Sequence, residues 1–176
     1  KEPKAKPQPA PKGKYSLSQS DGSADIAVVT TPTVHTASLA ETVVRPITEV
    51  AVCSPYFKEL ADKQISLSEL INFPLISLGK DTKSFEFYSA LFTAHGLSYK
   101  PDIEAFTADQ ILPMVEADLG IGFVPEEFLR DGDGLCRIRL KEQIPKRNIV
   151  LIKRKEQPLS VAAKELQRMI RECGDQ

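Results

Sequence analysis

Residues 74–124 read PLISLGKDTKSFEFYSALFTAHGLSYKPDIEAFTADQILPMVEADLGIGFV, and two residue periods alternate along them. Pro74-Leu75-Ile76-Ser77-Leu78 is a short apolar run closed by Gly79, which predicts a strand. Over 84–95 the apolar side chains Phe85, Tyr88, Leu91 and Phe92 recur at helical spacing, and His95-Gly96 supplies the stop. Residues 102–106 (DIEAF) alternate as a strand does. Thr107 then opens a second helix, with Gln110 three positions on in a capping-box pattern. Residues 119–124 (LGIGFV) read as a third strand. Strand, helix, strand, helix, strand in about fifty residues predicts an α/β chain with a right-handed parallel unit of the Rossmann-like kind. Two details refine the picture. Pro113 inside the second helix predicts a kink, because it removes a backbone donor. Asp118 stands where that helix ends, and Asp tolerates a left-handed backbone better than most residues.

Outward from this unit, Ile26-Ala27-Val28-Val29 is a strand with the Val content of a doubly covered one. Residues 47–53 (ITEVAVC) form a second β-branched stretch, and 135–140 and 149–152 two more. The chain closes on 160–172, where Ser160 caps an amphipathic helix bearing Ala163, Leu166, Met169 and Ile170. Neither flank of the central unit is long enough to fold alone. The pattern therefore predicts a discontinuous lobe I, 15–53 with 141–176, and an inserted lobe II, 54–140. Two strand-like crossings between lobes leave a cleft and a hinge. Residues 1–14 (KEPKAKPQPAPKGK) hold four Pro and five Lys, bury no face, and read as a tail or linker. There is no internal repeat.

Composition narrows the functions. At 176 residues and 41% hydrophobic, the chain has material for a core. A formal net charge of −1 argues against a general nucleic-acid binder. No apolar run approaches a membrane span, and the first residues have no signal-peptide core, so a cytoplasmic protein without membrane contact is expected. Cys53, Cys136 and Cys173 are odd in number and far apart; they form no CxxC and no zinc pattern, and are expected as reduced thiols.

No catalytic constellation is present: there is no GxSxG, no P-loop and no HExxH. His35 reads as a loop residue, and His95 suits a helix C-terminus. Asp131-Gly132-Asp133-Gly134 lacks the rest of a calcium loop, and Leu119-Gly120-Ile121-Gly122 has its glycines within a strand rather than at a dinucleotide turn. No metal, cofactor or catalytic residue is expected. Hydroxyl groups, however, recur at strand ends: Thr30 and Thr31 after 26–29, Thr82-Lys83-Ser84 after 74–78, and Thr107 beside Phe106 after 102–106. These positions border the crevice beyond the carboxyl ends of parallel strands, where free N–H groups at helix starts favour anions. Helix capping explains each site separately; three sites around one cleft point to a small anionic ligand.

In order along the chain, SADIAVVTT, ITEVAVCSPYF, ISLSELINFPLISL, FTADQILPMVEADLGIGFVP and IVLIKRKEQPLSVAAKELQRMI resemble segments of the effector-binding domain of bacterial LysR-type transcriptional regulators. The resemblance spans roughly residues 23–172. It implies two Rossmann-like lobes joined by two crossover strands, akin to type 2 periplasmic binding proteins, and a regulatory, non-enzymatic role. It implies a small effector, a carboxylate or other anion, held between the lobes. Carried over by position, the ligand-binding residues are Thr30, Thr31, Thr82, Lys83, Ser84, Phe106 and Thr107. It also implies self-association as dimer or tetramer, and contact with DNA only through an N-terminal winged helix-turn-helix that this sequence does not contain. The family's first lobe opens with a strand, a long helix and a strand, whereas here KYSLSQ is followed almost at once by SDGSADIAVV, with Ser18, Gln19 or Ser20 left where a ligand clamp would sit. Two other readings stand beside this one. A transport solute-binding protein of the same fold would carry a signal peptide. An enzyme on this fold would need an acid/base pair in the cleft, where only Asp81, Lys83 and Asp109 are near.

Overall fold

The computed structural model describes residues 24–33, 36–130 and 132–174. His35, Asp131, the 1–14 tail and Ser18–Ser20 lie outside the described residues, as does the side chain of Cys173.

Nine described strands form two sheets. The smaller contains β1 (Ile26–Thr30), β2 (Leu39–Ile47) and β9 (Arg147–Arg154) in the order β1-β9-β2, with both pairings antiparallel. The larger has the order β4-β8-β3-β7-β5-β6, from β3 (Glu49–Cys53), β4 (Gln64–Ile65), β5 (Leu75–Leu78), β6 (Ile103–Ala105), β7 (Ile121–Pro125) and β8 (Cys136–Leu140). The chain passes from the first sheet to the second at Thr48, between β2 and β3, and returns between Leu140 and Arg147. The stretch 47–53 is therefore divided between sheets: Ile47 ends β2 and Glu49 begins β3. Pro46 is tolerated in β2 because that strand is an edge and needs no outward donor.

Within the larger sheet β5 pairs in parallel with β6 and with β7. The helices between them cover opposite faces. Helix α2 (Lys83–Ala94) lays Tyr88, Leu91 and Phe92 on a core with Ala51, Leu75, Ile121 and Phe123. Beyond β6, a 3₁₀ turn (Ala108–Gln110) runs into α3 (Ile111–Glu116), whose Ile111 and Val115 pack on Val52, Ile76 and Val124. The short α1 (Leu67–Leu70) begins at Ser66 with a reciprocal capping box to Glu69. The expected kink at Pro113 is replaced by a change of helix type. The 3₁₀ turn ends at Gln110 and the α-helix starts at Ile111, so Pro113 falls in a first turn whose N–H would have no intrahelical partner. Asp118 does take the left-handed conformation, φ 61°, while Leu119 N–H closes back on the Met114 carbonyl. Its carboxylate accepts from Ser54 Oγ at 2.5 Å.

Helix α4 (Val161–Gly174) is capped by Ser160, whose Oγ accepts from Ala163 N–H at 3.2 Å. Of its four expected core residues, Ala163 is buried and Ile170 half-buried, but Leu166 and Met169 are about half exposed, at 48% and 52%. The helix turns Ala163, Gln167 and Ile170 inward, which rotates Leu166 and Met169 off the contact.

Candidate functional site

The order β6-β5-β7 creates a switch point. The connection from β5 leads to β6 on one side, and the connection from β6 returns past β5 to β7 on the other. A crevice opens between the carboxyl ends of β5 and β7 in such sheets. Here it is a cavity of 140 Å³. Its walls are Ile76, Ser77 and Leu78 of β5, Phe123, Val124 and Pro125 of β7, and Ala108 and Ile111 from the helical segment beyond β6. Ser84 and Tyr88 of α2 close one side. Thr30, at the end of β1, and Arg147, at the start of β9, reach it from the smaller sheet.

Arg147 organises the polar side of this cavity. Its residue is only 3% exposed, which is rare for an arginine unless it is fully paired. Its Nε donates to the Thr31 carbonyl at 2.5 Å, and one terminal nitrogen donates to Thr30 Oγ1 at 2.6 Å and to Ser84 Oγ at 3.3 Å. The other donates to Glu49 Oε1 at 2.8 Å, an ion pair buried on both sides. Tyr88 Oη donates to the second Glu49 oxygen at 2.9 Å. Burial pushes the Tyr88 phenol well above its ordinary range, and the Glu49 carboxylate adds to the shift, so the phenol stays a donor. The Arg147 guanidinium also lies 4.9 Å from the Phe87 ring centre. One side chain thus ties β1 of the smaller sheet to α2 of the larger, through Glu49, the first residue after the chain changes sheets.

The seven residues singled out from sequence divide around this cavity. Thr30 and Ser84 line it and meet on Arg147. Thr31 faces its hydroxyl away, accepting from Asn148 N–H at 2.9 Å, and contributes its carbonyl. Thr82 caps α2: its Oγ1 accepts from Phe85 N–H and donates to the Gly79 carbonyl. Lys83 is at the surface, paired with Glu86. Phe106 is 71% exposed, and its N–H, like that of Thr107, donates to Gln110 Oε1. Neither lines the cavity, although the next residue, Ala108, does. Sequence reasoning missed Arg147, Glu49 and the polar role of Tyr88. For Glu49 the available signal was a lone charge inside the apolar stretch ITEVAVC; Arg147, next to Lys146 in a polar connection, carried none.

Among the described residues no group of three or more His, Cys, Asp or Glu could hold a metal ion, and no helix is long and apolar enough to cross a membrane.

Residues 16–174 match the LysR substrate binding domain family. The chain belongs to that family. A LysR substrate binding domain is a regulatory, non-enzymatic module of transcription regulation with the type 2 periplasmic-binding-protein-like fold, two Rossmann-like lobes joined by crossover strands. The uncharacterized HTH-type transcriptional regulator YwbI of Bacillus subtilis (strain 168) is 32% identical over 149 residues, 82% of this chain and 48% of YwbI. The chain thus spans about half the length of the curated relative it matches. Among solved structures, the regulatory domain of CcmR from Synechocystis PCC6803 in complex with 2-PG superposes with a TM-score of 0.79 at 14% identity, covering 93% of this chain and 79% of that one. The effector binding domain of QuiR in complex with shikimate gives 0.78 at 16%, covering 93% and 78%. The BenM effector binding domain with benzoate gives 0.67 at 19%, covering 92% and 75%. At these identities the structural likeness concerns the fold.

Proposed function

We propose that this LysR-type effector-binding domain senses a small carboxylate or other small anion in the cavity between its two sheets. The observation that carries the reading is the convergence of Thr30 from one sheet and Ser84 from the other on a buried arginine beside an apolar pocket. Pockets for drug-sized molecules run about 300–1,000 Å³; at 140 Å³ this one suits a metabolite of few atoms. Shikimate and benzoate, held by the neighbours QuiR and BenM, are carboxylates of that class. In this reading Thr30 and Ser84 touch the ligand. Thr82 presents Ser84 by fixing the start of α2. Thr31 orients Arg147, while Lys83, Phe106 and Thr107 stand outside the cavity and take no part.

The ligand does no chemistry. It biases the arrangement of the two sheets, and it shifts that equilibrium only by the difference in its affinity for the alternatives. In the full-length cytoplasmic regulator, a homo-oligomer in this proposal, the bias is passed to an N-terminal winged helix-turn-helix that meets DNA.

The test is calorimetric titration of a panel of small carboxylates, shikimate and benzoate included, against wild type, Ser84→Ala and Thr30→Val. A hydrogen bond to a charged group contributes about 1.5–3 kcal/mol, so each substitution is expected to weaken a binder by roughly ten- to 150-fold with the fold unchanged by circular dichroism. A binder that ignores both substitutions places the site elsewhere.

A further inference from the structure

The larger sheet carries two thiols that the effector site does not use. Cys53, the last residue of β3, is the direct register partner of Cys136, the first residue of β8, on antiparallel strands. Both are free, and both face the same apolar cluster: Cys53 is fully buried, while Cys136 is partly exposed and packs against it. Residues directly opposite on antiparallel strands have Cα atoms about 4.5–5.5 Å apart, inside the range of about 4.4–6.8 Å that a disulfide spans. We propose that Cys53 and Cys136 form a redox-modifiable pair that closes to a cross-strand disulfide under a peroxide.

The order of events follows from exposure. Cys136 meets the oxidant first. Its thiolate attacks one peroxide oxygen, the O–O bond breaks, and the departing hydroxide takes the thiol proton and leaves as water, so Cys136 becomes a sulfenic acid. Cys53 then attacks the Cys136 sulfur. The S–S bond forms, the S–O bond breaks, and the second hydroxide leaves with the Cys53 proton, again as water. Two electrons pass from the two sulfurs to the peroxide, and two thiols and one hydrogen peroxide give one disulfide and two waters. Cys53 is unsuited to the first role: its Sγ donates to the Phe57 carbonyl at 3.5 Å, and burial, with the Cys136 sulfur close by, pushes its thiol up to about 12. It therefore stays protonated and sheltered until a sulfenic acid stands opposite it. The bond would staple the far end of the strand whose first residue, Glu49, holds Arg147 in the effector cavity.

The experiment uses the whole chain, reduced and then treated with a small excess of hydrogen peroxide, alkylated in denaturant and digested for mass spectrometry. Wild type is expected to fall from three alkylatable thiols to one, with Cys173 retained, a Cys53–Cys136 linked peptide present, an intact mass lower by two hydrogens, and full reversal by dithiothreitol. Cys136→Ser, a change at a partly exposed position, should abolish the link and leave Cys53 alkylatable, whereas Cys173→Ser should form the link as wild type does. Three thiols surviving in wild type, over-oxidation of Cys136 without a link, or a link through Cys173 instead would overturn the proposal.

Discussion

Replacing Glu49 with Leu removes the carboxylate that Arg147 and Tyr88 share. The side chains of Arg147 and Glu49 are 4% and 1% exposed, so both charges have given up most of their bulk hydration. Breaking a buried pair from one side costs about 3–5 kcal/mol, because the remaining charge stays desolvated. In a chain of this size each kcal/mol lowers Tm by about 2–4 °C, so Glu49→Leu should melt roughly 6–20 °C below wild type. Glu49→Gln, which retains an acceptor for Arg147 or Tyr88, should lose less. The double variant Glu49→Leu/Arg147→Met removes both charges, and it should be less damaged than the two single losses added together, by about 2–3 kcal/mol of coupling. The Thr31 carbonyl, left without its donor, keeps it below wild type. The assay is urea unfolding followed by circular dichroism and tyrosine fluorescence, whose coincidence checks the two-state assumption. A Glu49→Leu loss under about 1 kcal/mol, or single losses that add within about 0.5 kcal/mol, would refute the claim that one coupled network joins the sheets.

Two further outcomes follow from other parts of the molecule. Gly120→Ala would place a Cβ 2.5 Å from the Pro74 carbonyl oxygen, a backbone atom that cannot swing aside; β5 and β7 must separate locally, at about 1–3 kcal/mol in urea unfolding, and an unchanged midpoint would contradict this packing. Glu69 accepts from Ser66 and pairs with Lys141, which lowers its carboxyl to about 2 from 4.5. Because the folded value is the depressed one, its contribution is fully present above pH 4.5 and is lost as pH falls toward 2. Glu69→Gln should therefore flatten the acid limb of the stability curve in that window, and an acid limb identical to wild type would show that Glu69 contributes nothing to it.

Local chemistry made the parallel unit legible. The apolar spacing over 84–95 and the stop at Gly96 foretell α2 almost to the residue, and the Asp118 backbone follows from what a short polar side chain tolerates. The break at Thr48 was not legible, since the β-branched residues of ITEVAVC run on both sides of it and nothing local marks where pairing partners change. Strand β2 was hidden by Pro46, which is acceptable only because the strand lies at an edge, a tertiary fact. For the site, hydroxyls at strand ends were visible one by one. That Thr30 and Ser84 converge while Thr107 stands aside depends on how the sheets pack, as does the burial of Arg147. A charged residue beside IVLI reads as a solvated strand end until its partner Glu49, 98 positions away, is placed next to it.

The most direct measurement is amide chemical-shift mapping of the isotopically labelled chain while shikimate, benzoate and similar small carboxylates are added. For any member that binds, the largest shifts should fall together on Thr30, Ser84, Ala108 and Val124, with the Arg147 side-chain Nε–H moving in the same titration. Saturable shifts confined to other surfaces, or no shift from any small acid, would contradict the placement of an anion sensor between the two sheets.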